Sequence, residues 1–142
     1  MSDRELIQKA LEARKNAYCP YSHFQVGAAL LAGNGQVFSG CNIENAAYGP
    51  SNCAERTAFF KAVSEGVYEF LAIAVVGGLE DAKELDFCAP CGVCRQVMME
   101  FCCPETFRIL LARSEDEYRE YRLQELLPMG FGAGNLRKEN TK

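Results

Sequence analysis

Three thiols and one carboxylate fall into two short segments, Cys53-Ala54-Glu55-Arg56 and Pro90-Cys91-Gly92-Val93-Cys94. Thiolate, imidazole and carboxylate are the ligands that zinc takes. Structural sites close with four protein ligands, whereas catalytic sites hold three and keep one position open for water. Two residues separate Cys91 from Cys94, and at a helix start positions three apart share a face. Cys53 is the natural third ligand. Glu55 follows it by two residues, close to the metal but poorly placed to join the same coordination sphere. Three thiolates, an open position and an adjacent carboxylate read as a catalytic centre before a structural one. A redox pair at Cys91 and Cys94 is the rival reading, and it gives Cys53 and Glu55 no work. His23, the only histidine, reads as a partly exposed residue at a strand start and not as a ligand.

Such a cluster has to be held by two helix starts. Cys53 precedes Ala54, Ala58, Phe59, Ala62 and Val63, an apolar stripe at helical spacing that ends near Gly66. Cys91 follows Pro90, a residue suited to a helix start, and precedes Val93, Val97, Met98 and Phe101. The positive ends of both helices would face the sulfurs and stabilise thiolates. They are needed, because three thiolates and one dication sum to about minus one. Arg56 and Arg95 each directly follow a motif residue and are expected to offset that charge by hydrogen bonds to sulfur.

Composition narrows the surroundings. At 142 residues the chain is expected to form a single domain, 1–142, with a tail from about 129. A net charge of −4, with no basic cluster interleaved with aromatics, argues against a nucleic-acid partner. No apolar run would span a bilayer, and the charged start of the chain lacks a signal-peptide core, so a cytoplasmic location without a membrane partner is expected. Eight cysteines would suit a secreted disulfide scaffold, but metal ligands plus buried thiols fit better here. Cys19, Cys41, Cys88, Cys102 and Cys103 are read as small apolar residues.

The remaining elements follow in order. Ser2 and Glu5 have capping-box spacing and open an amphipathic helix expected to end near Pro20. Residues 24–31 read as a buried strand, and after the turn at Gly33-Asn34-Gly35 residues 36–41 return as its hairpin partner. A polar loop over 42–52 leads to the first thiol helix. Residues 70–76 are a continuous apolar run and so a central strand; 77–89 are expected to form a loop over the site. After the second thiol helix comes a strand over 107–112, then a stretch, 118–123, that fits helix or strand, and a short helix over 123–127. The charges from Glu115 to Glu125 read as a solvated face, and Tyr118 and Tyr121 as packing residues. Strands alternating with helices predict an α/β fold in which the strands joined by helical crossovers run parallel. Both thiol helices would then meet at one sheet edge, where ligand sites of such folds lie.

The order Cys-x-Glu…Pro-Cys-x-x-Cys is a described signature of zinc deaminases, here with cysteine in the first ligand place; spacing alone does not yield it. With it stand Tyr21-Ser22-His23-Phe24-Gln25-Val26-Gly27-Ala28-Ala29-Leu30, Gly40-Cys41-Asn42-Ile43-Glu44-Asn45-Ala46-Ala47-Tyr48, and Glu125-Leu126-Leu127-Pro128 with Phe131. On these motifs nearly the whole chain resembles the small homotetrameric cytidine deaminases. The resemblance implies a three-layer α/β fold, a mixed sheet of about five strands with helices on both faces. It implies one zinc per subunit on Cys53, Cys91 and Cys94, with Glu55 as proton shuttle. Asn42 and Glu44 would hold the ribose hydroxyls, Phe24 would pack on the pyrimidine and the Ala54 backbone would contact the base. Phe131 would reach the site of a neighbouring subunit, in a tetramer with shared active sites, with Ala46 to Tyr48 near a subunit boundary. The implied reaction is hydrolysis of cytidine and deoxycytidine to uridine and deoxyuridine plus ammonia, in pyrimidine salvage. Taken alone, Phe24 reads as core and Asn42 with Glu44 as a solvated turn. Rival readings are a deaminase of another aminopyrimidine nucleoside such as blasticidin S, a nucleic-acid deaminase, and a non-enzymatic zinc-stapled module.

Overall fold

A computed structural model describes residues 1–136. Its elements are α1 (Asp3–Arg14), β1 (Phe24–Ala32), β2 (Val37–Cys41), α2 (Ala54–Ser64), β3 (Phe70–Leu79), α3 (Gly92–Phe101), β4 (Arg108–Ser114), β5 (Glu117–Arg122) and α4 (Leu123–Leu126), followed by a 3-10 turn at Ala133–Asn135. The strands form one sheet in the order β2-β1-β3-β4-β5. β1 runs antiparallel to β2 and to β3, β3 is parallel to β4, and β5 returns antiparallel beside β4. This is the expected mixed α/β sheet of five strands with helices on both faces.

The topology explains why both thiol helices share a face. β2, β3 and β4 all point the same way, and the crossovers through α2 and α3 step across the sheet in the same sense. Right-handed connection then puts both helices on one side, with their N-termini over the carboxyl ends of β2 and β3. On that side Phe59, Phe70, Ile73, Met98, Phe107 and Ile109 build the larger core. On the other, Leu6, Ile7 and Ala10 of α1 pack on Ala29, Ala72, Ala74, Val76 and Leu110. Gly40 sets how closely α2 lies on β2: a Cβ there would come within 2.4 Å of the Ala54 carbonyl oxygen and 2.7 Å of the Ala58 nitrogen. The helix turn that carries Glu55 is therefore pressed onto the sheet.

Several boundaries differ from the sequence expectation. Ser2 caps α1 in a full capping box with Glu5, as its spacing predicts, but the helix stops at Arg14 and not near Pro20. Backbone pairing elsewhere wins over the apolar spacing of Ala17 and Tyr18: the Tyr18 N–H donates to the Asn42 carbonyl at 3.0 Å and Tyr18 bridges to Ile43. β3 runs on to Leu79, because Gly77 and Gly78 stay paired with Val26 and Gln25. The expected loop over 77–89 is correspondingly shorter. The ambiguous stretch after Ser114 is a strand, since Glu117 pairs directly back to Ser114 and closes a tight hairpin. The tail expected from 129 is not featureless, as the 3-10 turn falls within it; its residues 137–142 lie outside the described residues. The charges after Ser114 do not form a merely solvated face. Arg4 pairs with Glu115 and Asp116, while Arg108 bridges Asp3 and Glu120 at 2.6 and 2.8 Å. Tyr118 donates to Asp3 at 2.9 Å, and Tyr121 packs on the larger core.

Candidate metal and active site

Cys53 and Cys91 are the N-cap residues of α2 and α3, and Cys94 lies in the first turn of α3. The three Sγ atoms lie within 4.8 Å of one another. Cys53 is 3.7 Å from Cys91, and Cys91 is 3.5 Å from Cys94. Neither cap position is filled by a strong side-chain acceptor, so the backbone N–H groups of both first turns point into the sulfur cluster, where they favour negative charge.

Arg56, one turn into α2, places Nη2 3.2 Å from Cys53 Sγ. Its Nε is buried with no hydrogen-bond partner among the described residues. Arg95 does not do what its place in the sequence suggests. Its Nε donates to the Pro90 carbonyl at 2.8 Å and its Nη1 to the Leu126 carbonyl at 2.8 Å, and it touches no sulfur. It braces the start of α3 against the end of α4. The cluster shares protons unevenly. Hydrogen bonding from Cys94, with help from Arg56, pulls the Cys53 thiol down to about 5, and the same bond to Cys53, together with burial, pushes Cys94 up. Arg56 stays fully charged because its bonds to Cys53 and Cys94 outweigh burial.

Glu55 is the one buried charged residue among those described, 4% exposed. Burial raises its pKa to about 7, the charge of Cys53 adds to the rise, and its own backbone N–H and Arg56 oppose it. Glu55 is not part of the sulfur group. It lies with Cys53 and Cys91 in the wall of a cavity of about 430 Å³, completed by Val26, Asn42, Glu44, Tyr48, Ala54 and Cys88 among others. A separate groove of about 310 Å³ between α1, β2 and α2, with Lys9, Lys61 and Cys41, holds none of the three clustered thiols. Three soft sulfur donors at two helix N-termini, a guanidinium on one of them and a carboxylate outside the set fit a zinc ion with one coordination position left for a non-protein ligand.

Asn42 and Glu44 line the same cavity and are held rigidly. Asn42 Oδ1 accepts from the Val26 N–H at 2.9 Å, and Nδ2 donates to the Phe24 carbonyl at 2.7 Å. Glu44 Oε1 accepts from the N–H groups of Tyr21 and Ser22 at 3.0 and 3.1 Å, and Oε2 accepts from Ser22 Oγ. These bonds hold its carboxyl below the usual carboxylate range, the Ser22 hydroxyl most of all. Each side chain still has free lone pairs, and Asn42 a free N–H. Phe24 is not in the wall itself; its ring edge and Cys88 Sγ both abut the α-carbon of Gly77. Phe131 is exposed and away from the cavity, its carbonyl accepting from Gln96 at 2.7 Å. His23 precedes β1, exposed, with Nδ1 3.1 Å from Glu80.

Tyr48 joins the wall without having been expected there. Cys88 lies in the segment expected to pass over the site, but it was read only as a small apolar residue and not as part of the wall. Of the other spare thiols Cys19 and Cys102 are buried, as read, but Cys103 is exposed.

The family model described as "Cytidine and deoxycytidylate deaminase zinc-binding region" matches residues 1–109. The chain is 50% identical over 136 residues to the cytidine deaminase of Halalkalibacterium halodurans, covering 96% of this chain and 98% of that one. It is 48% identical to that of Sporosarcina psychrophila, over 96% of each. The crystal structure of the Burkholderia pseudomallei cytidine deaminase superposes with a TM-score of 0.83 at 48% identity, covering 92% of this chain and 100% of that chain. That of Mycobacterium tuberculosis gives 0.76 at 39%, covering 93% and 98%.

Proposed function

The chain belongs to the cytidine deaminase family, and from that premise we propose how its residues divide the work of hydrolysing cytidine to uridine and ammonia. The observation that carries the assignment of roles is the buried Glu55 carboxylate in the wall of the cavity that Cys53 and Cys91 of the three-thiol cluster also line. Zinc is the cofactor, held by Cys53, Cys91 and Cys94, and when bound it is a Lewis acid that lowers the pKa of water from ~15.7 towards ~7.

Glu55 is the proton carrier. It takes a proton from the water that adds to C4 of the pyrimidine and delivers it to ring N3. It then takes the proton of the new C4 hydroxyl and passes it to the amine, so that the C4 carbonyl forms as the C4–N bond breaks and ammonia leaves. Helix N-termini favour ionised sulfurs, and Arg56, bonded to Cys53, limits the excess negative charge beside the reacting carbon. Asn42 and Glu44, already fixed by backbone hydrogen bonds, lose little freedom on accepting ribose hydroxyls, which is what preorganisation requires. Phe24 flanks the pyrimidine and the Ala54 backbone contacts the base. Phe131, exposed and remote from its own cavity, serves a neighbouring subunit in a homotetramer. Deoxycytidine is a second substrate, and the enzyme works in the cytoplasm. The Asn42-x-Glu44 pair in the cavity favours plain nucleosides over an antibiotic such as blasticidin S. Glu55's separation from the sulfur group favours an enzyme over a closed zinc module.

A deaminase assay on zinc-loaded protein, with cytidine, deoxycytidine and free cytosine as separate substrates, tests this. Turnover of both nucleosides and not of cytosine is expected. Equal turnover of cytosine would remove the sugar-reading role of Asn42 and Glu44.

A further inference from the structure

The segment between β3 and α3, residues 80–91, supplies both a wall and a ligand of the site, yet it has almost no regular structure. Cys88 and Ala89 line the cavity, and Cys91 belongs to the sulfur cluster. Its one backbone bridge is Asp86 to Gly77. That bridge uses an edge of β3 that β4 leaves open, because β3–β4 pairing ends at Val75 and Leu111. Two glycines make the seat. A Cβ on Gly78 would lie 2.6 Å from Leu85 Cδ2, and one on Gly77 would lie 2.8 Å from Cys88 Sγ.

Side chains from the far hairpin hold the segment down. Arg113 Nε donates to the Leu85 carbonyl at 3.1 Å. The Phe87 ring has the Arg119 guanidinium 4.2 Å from its centroid and that of Arg113 at 5.6 Å. Arg119 forms no ion pair among the described residues. Its acidic neighbours on β5 are engaged elsewhere, Glu117 with Arg113 and Glu120 with Arg108 and Arg122. On the other side of Cys88, Arg95 independently fixes the Pro90 carbonyl. Beyond its start, where the Glu80 N–H donates to the His23 carbonyl at 2.8 Å, the segment is anchored on both flanks of Cys88, by Arg95 on the metal side and by Arg113 and Arg119 on the wall side.

We infer that Arg119, through its stack on Phe87, is a positioning residue: it holds the Cys88 wall of the cavity in place for the substrate while Arg95 holds Cys91 for the metal. This rests on the reading that the cavity takes the nucleoside. A cation over an aromatic face is attracted by the ring quadrupole, and losing one raises the ratio of unseated to seated segment by a factor of about three to ten.

The test is steady-state kinetics on cytidine with zinc-loaded wild type, Arg119→Gln, Arg119→Lys and Phe87→Leu. Alongside it runs peptide-resolved alkylation of the same samples with iodoacetamide. Arg119→Gln and Phe87→Leu are expected to raise KM about three- to tenfold, with kcat within about twofold and zinc content unchanged. Cys88 should label faster by a similar factor while Cys102 stays protected, and Arg119→Lys should recover part of both effects. Unchanged Cys88 labelling in Arg119→Gln would overturn the proposal. So would faster labelling shared by Cys102, which would mean general loosening. Faster Cys88 labelling with a normal KM would keep the clamp and overturn the reading that this wall meets the substrate.

Discussion

The two faces of the sheet are built differently. On the α1 face the core is made mostly of small residues, Ala10, Ala29, Ala72, Ala74 and Ala112 beside Leu6 and Ile7. Among the described residues, no buried side-chain polar atom on this face is left without a partner. Arg14 donates to the carbonyls of Gln25, Gly78 and Leu79, and Arg108 joins Asp3 to Glu120. On the α2–α3 face the core is large and aromatic, with Phe59 5.1 Å edge-on to Phe70 and 6.2 Å from Phe101 and Phe107. Here polar groups are left available: a buried Arg56 Nε without a partner among the described residues, a buried Glu55 carboxylate in the cavity wall, and three crowded sulfurs. Buried polar groups are normally satisfied. One face thus closes its hydrogen-bond account and supports; the other keeps its groups available for a metal and a substrate.

The largest effects should come from the unsatisfied face and should separate binding of metal from chemistry. Cys91→Ala removes one of three sulfurs, and the purified protein should carry no zinc and no measurable deaminase activity. Glu55→Gln keeps the cluster and the shape of the cavity, so zinc content by metal analysis should stay at one per chain. Turnover should fall by about 10²–10⁴-fold, the share of a positioned acid–base group. Thermal stability should not fall, because the change removes a buried charge that has no opposite charge bonded to it. A fully active Glu55→Gln enzyme would break the division of labour at its centre.

Arg56→Ala should be milder. The guanidinium bonds a sulfur and does not touch the reacting carbon, so zinc affinity in a chelator competition is expected to weaken by about 10–100-fold, with partial turnover under saturating zinc. Unchanged affinity would mean that the helix N-termini alone carry the charge of the cluster. Arg95→Ala sharpens the point, since it should weaken zinc binding only by loosening the α3 start that carries Cys91 and Cys94, with no sulfur losing a hydrogen bond.

What the sequence made legible follows from what kind of force decides each feature. The thiol helices, the capped α1 and the order of strands were readable because local signals decide them: cap spacing, apolar period and turn residues. The metal set was readable for the same reason, since two of its members are helix caps and the third is three residues from one of them. What failed was decided at a distance. α1 stops early because Tyr18 pairs with residues 42–43, and β3 runs long because glycines do not end a strand whose neighbours keep pairing. Arg95 looks like Arg56 in the sequence, each directly after a motif residue. Only the arrival of the Leu126 carbonyl, thirty-one residues on, decides that its guanidinium turns away from sulfur. Cys88 is a small apolar thiol by composition, and it becomes a cavity wall only because Gly77 lets it in.

The smallest effect tests the supporting face. Arg108 holds the Asp3 and Glu120 carboxyls below their ordinary values, chiefly through its hydrogen bonds to them. A carboxylate whose folded pKa is lowered contributes stability above its unfolded pKa and loses it as the pH falls through the folded value. The wild type should therefore lose this contribution only as the pH drops below about 4, the usual carboxylate range. All three side chains are about a third exposed and screened by solvent, so Arg108→Ala should cost on the order of 1 kcal/mol at pH 7 in denaturant unfolding. The difference from wild type should shrink as the pH falls below that range. kcat/KM should be unchanged, because Asp3, Arg108 and Glu120 belong to α1, β4 and β5 and none lines the cavity. A tenfold loss of kcat/KM in Arg108→Ala would show that the two faces are mechanically coupled through the sheet, and that the supporting face is part of the active one.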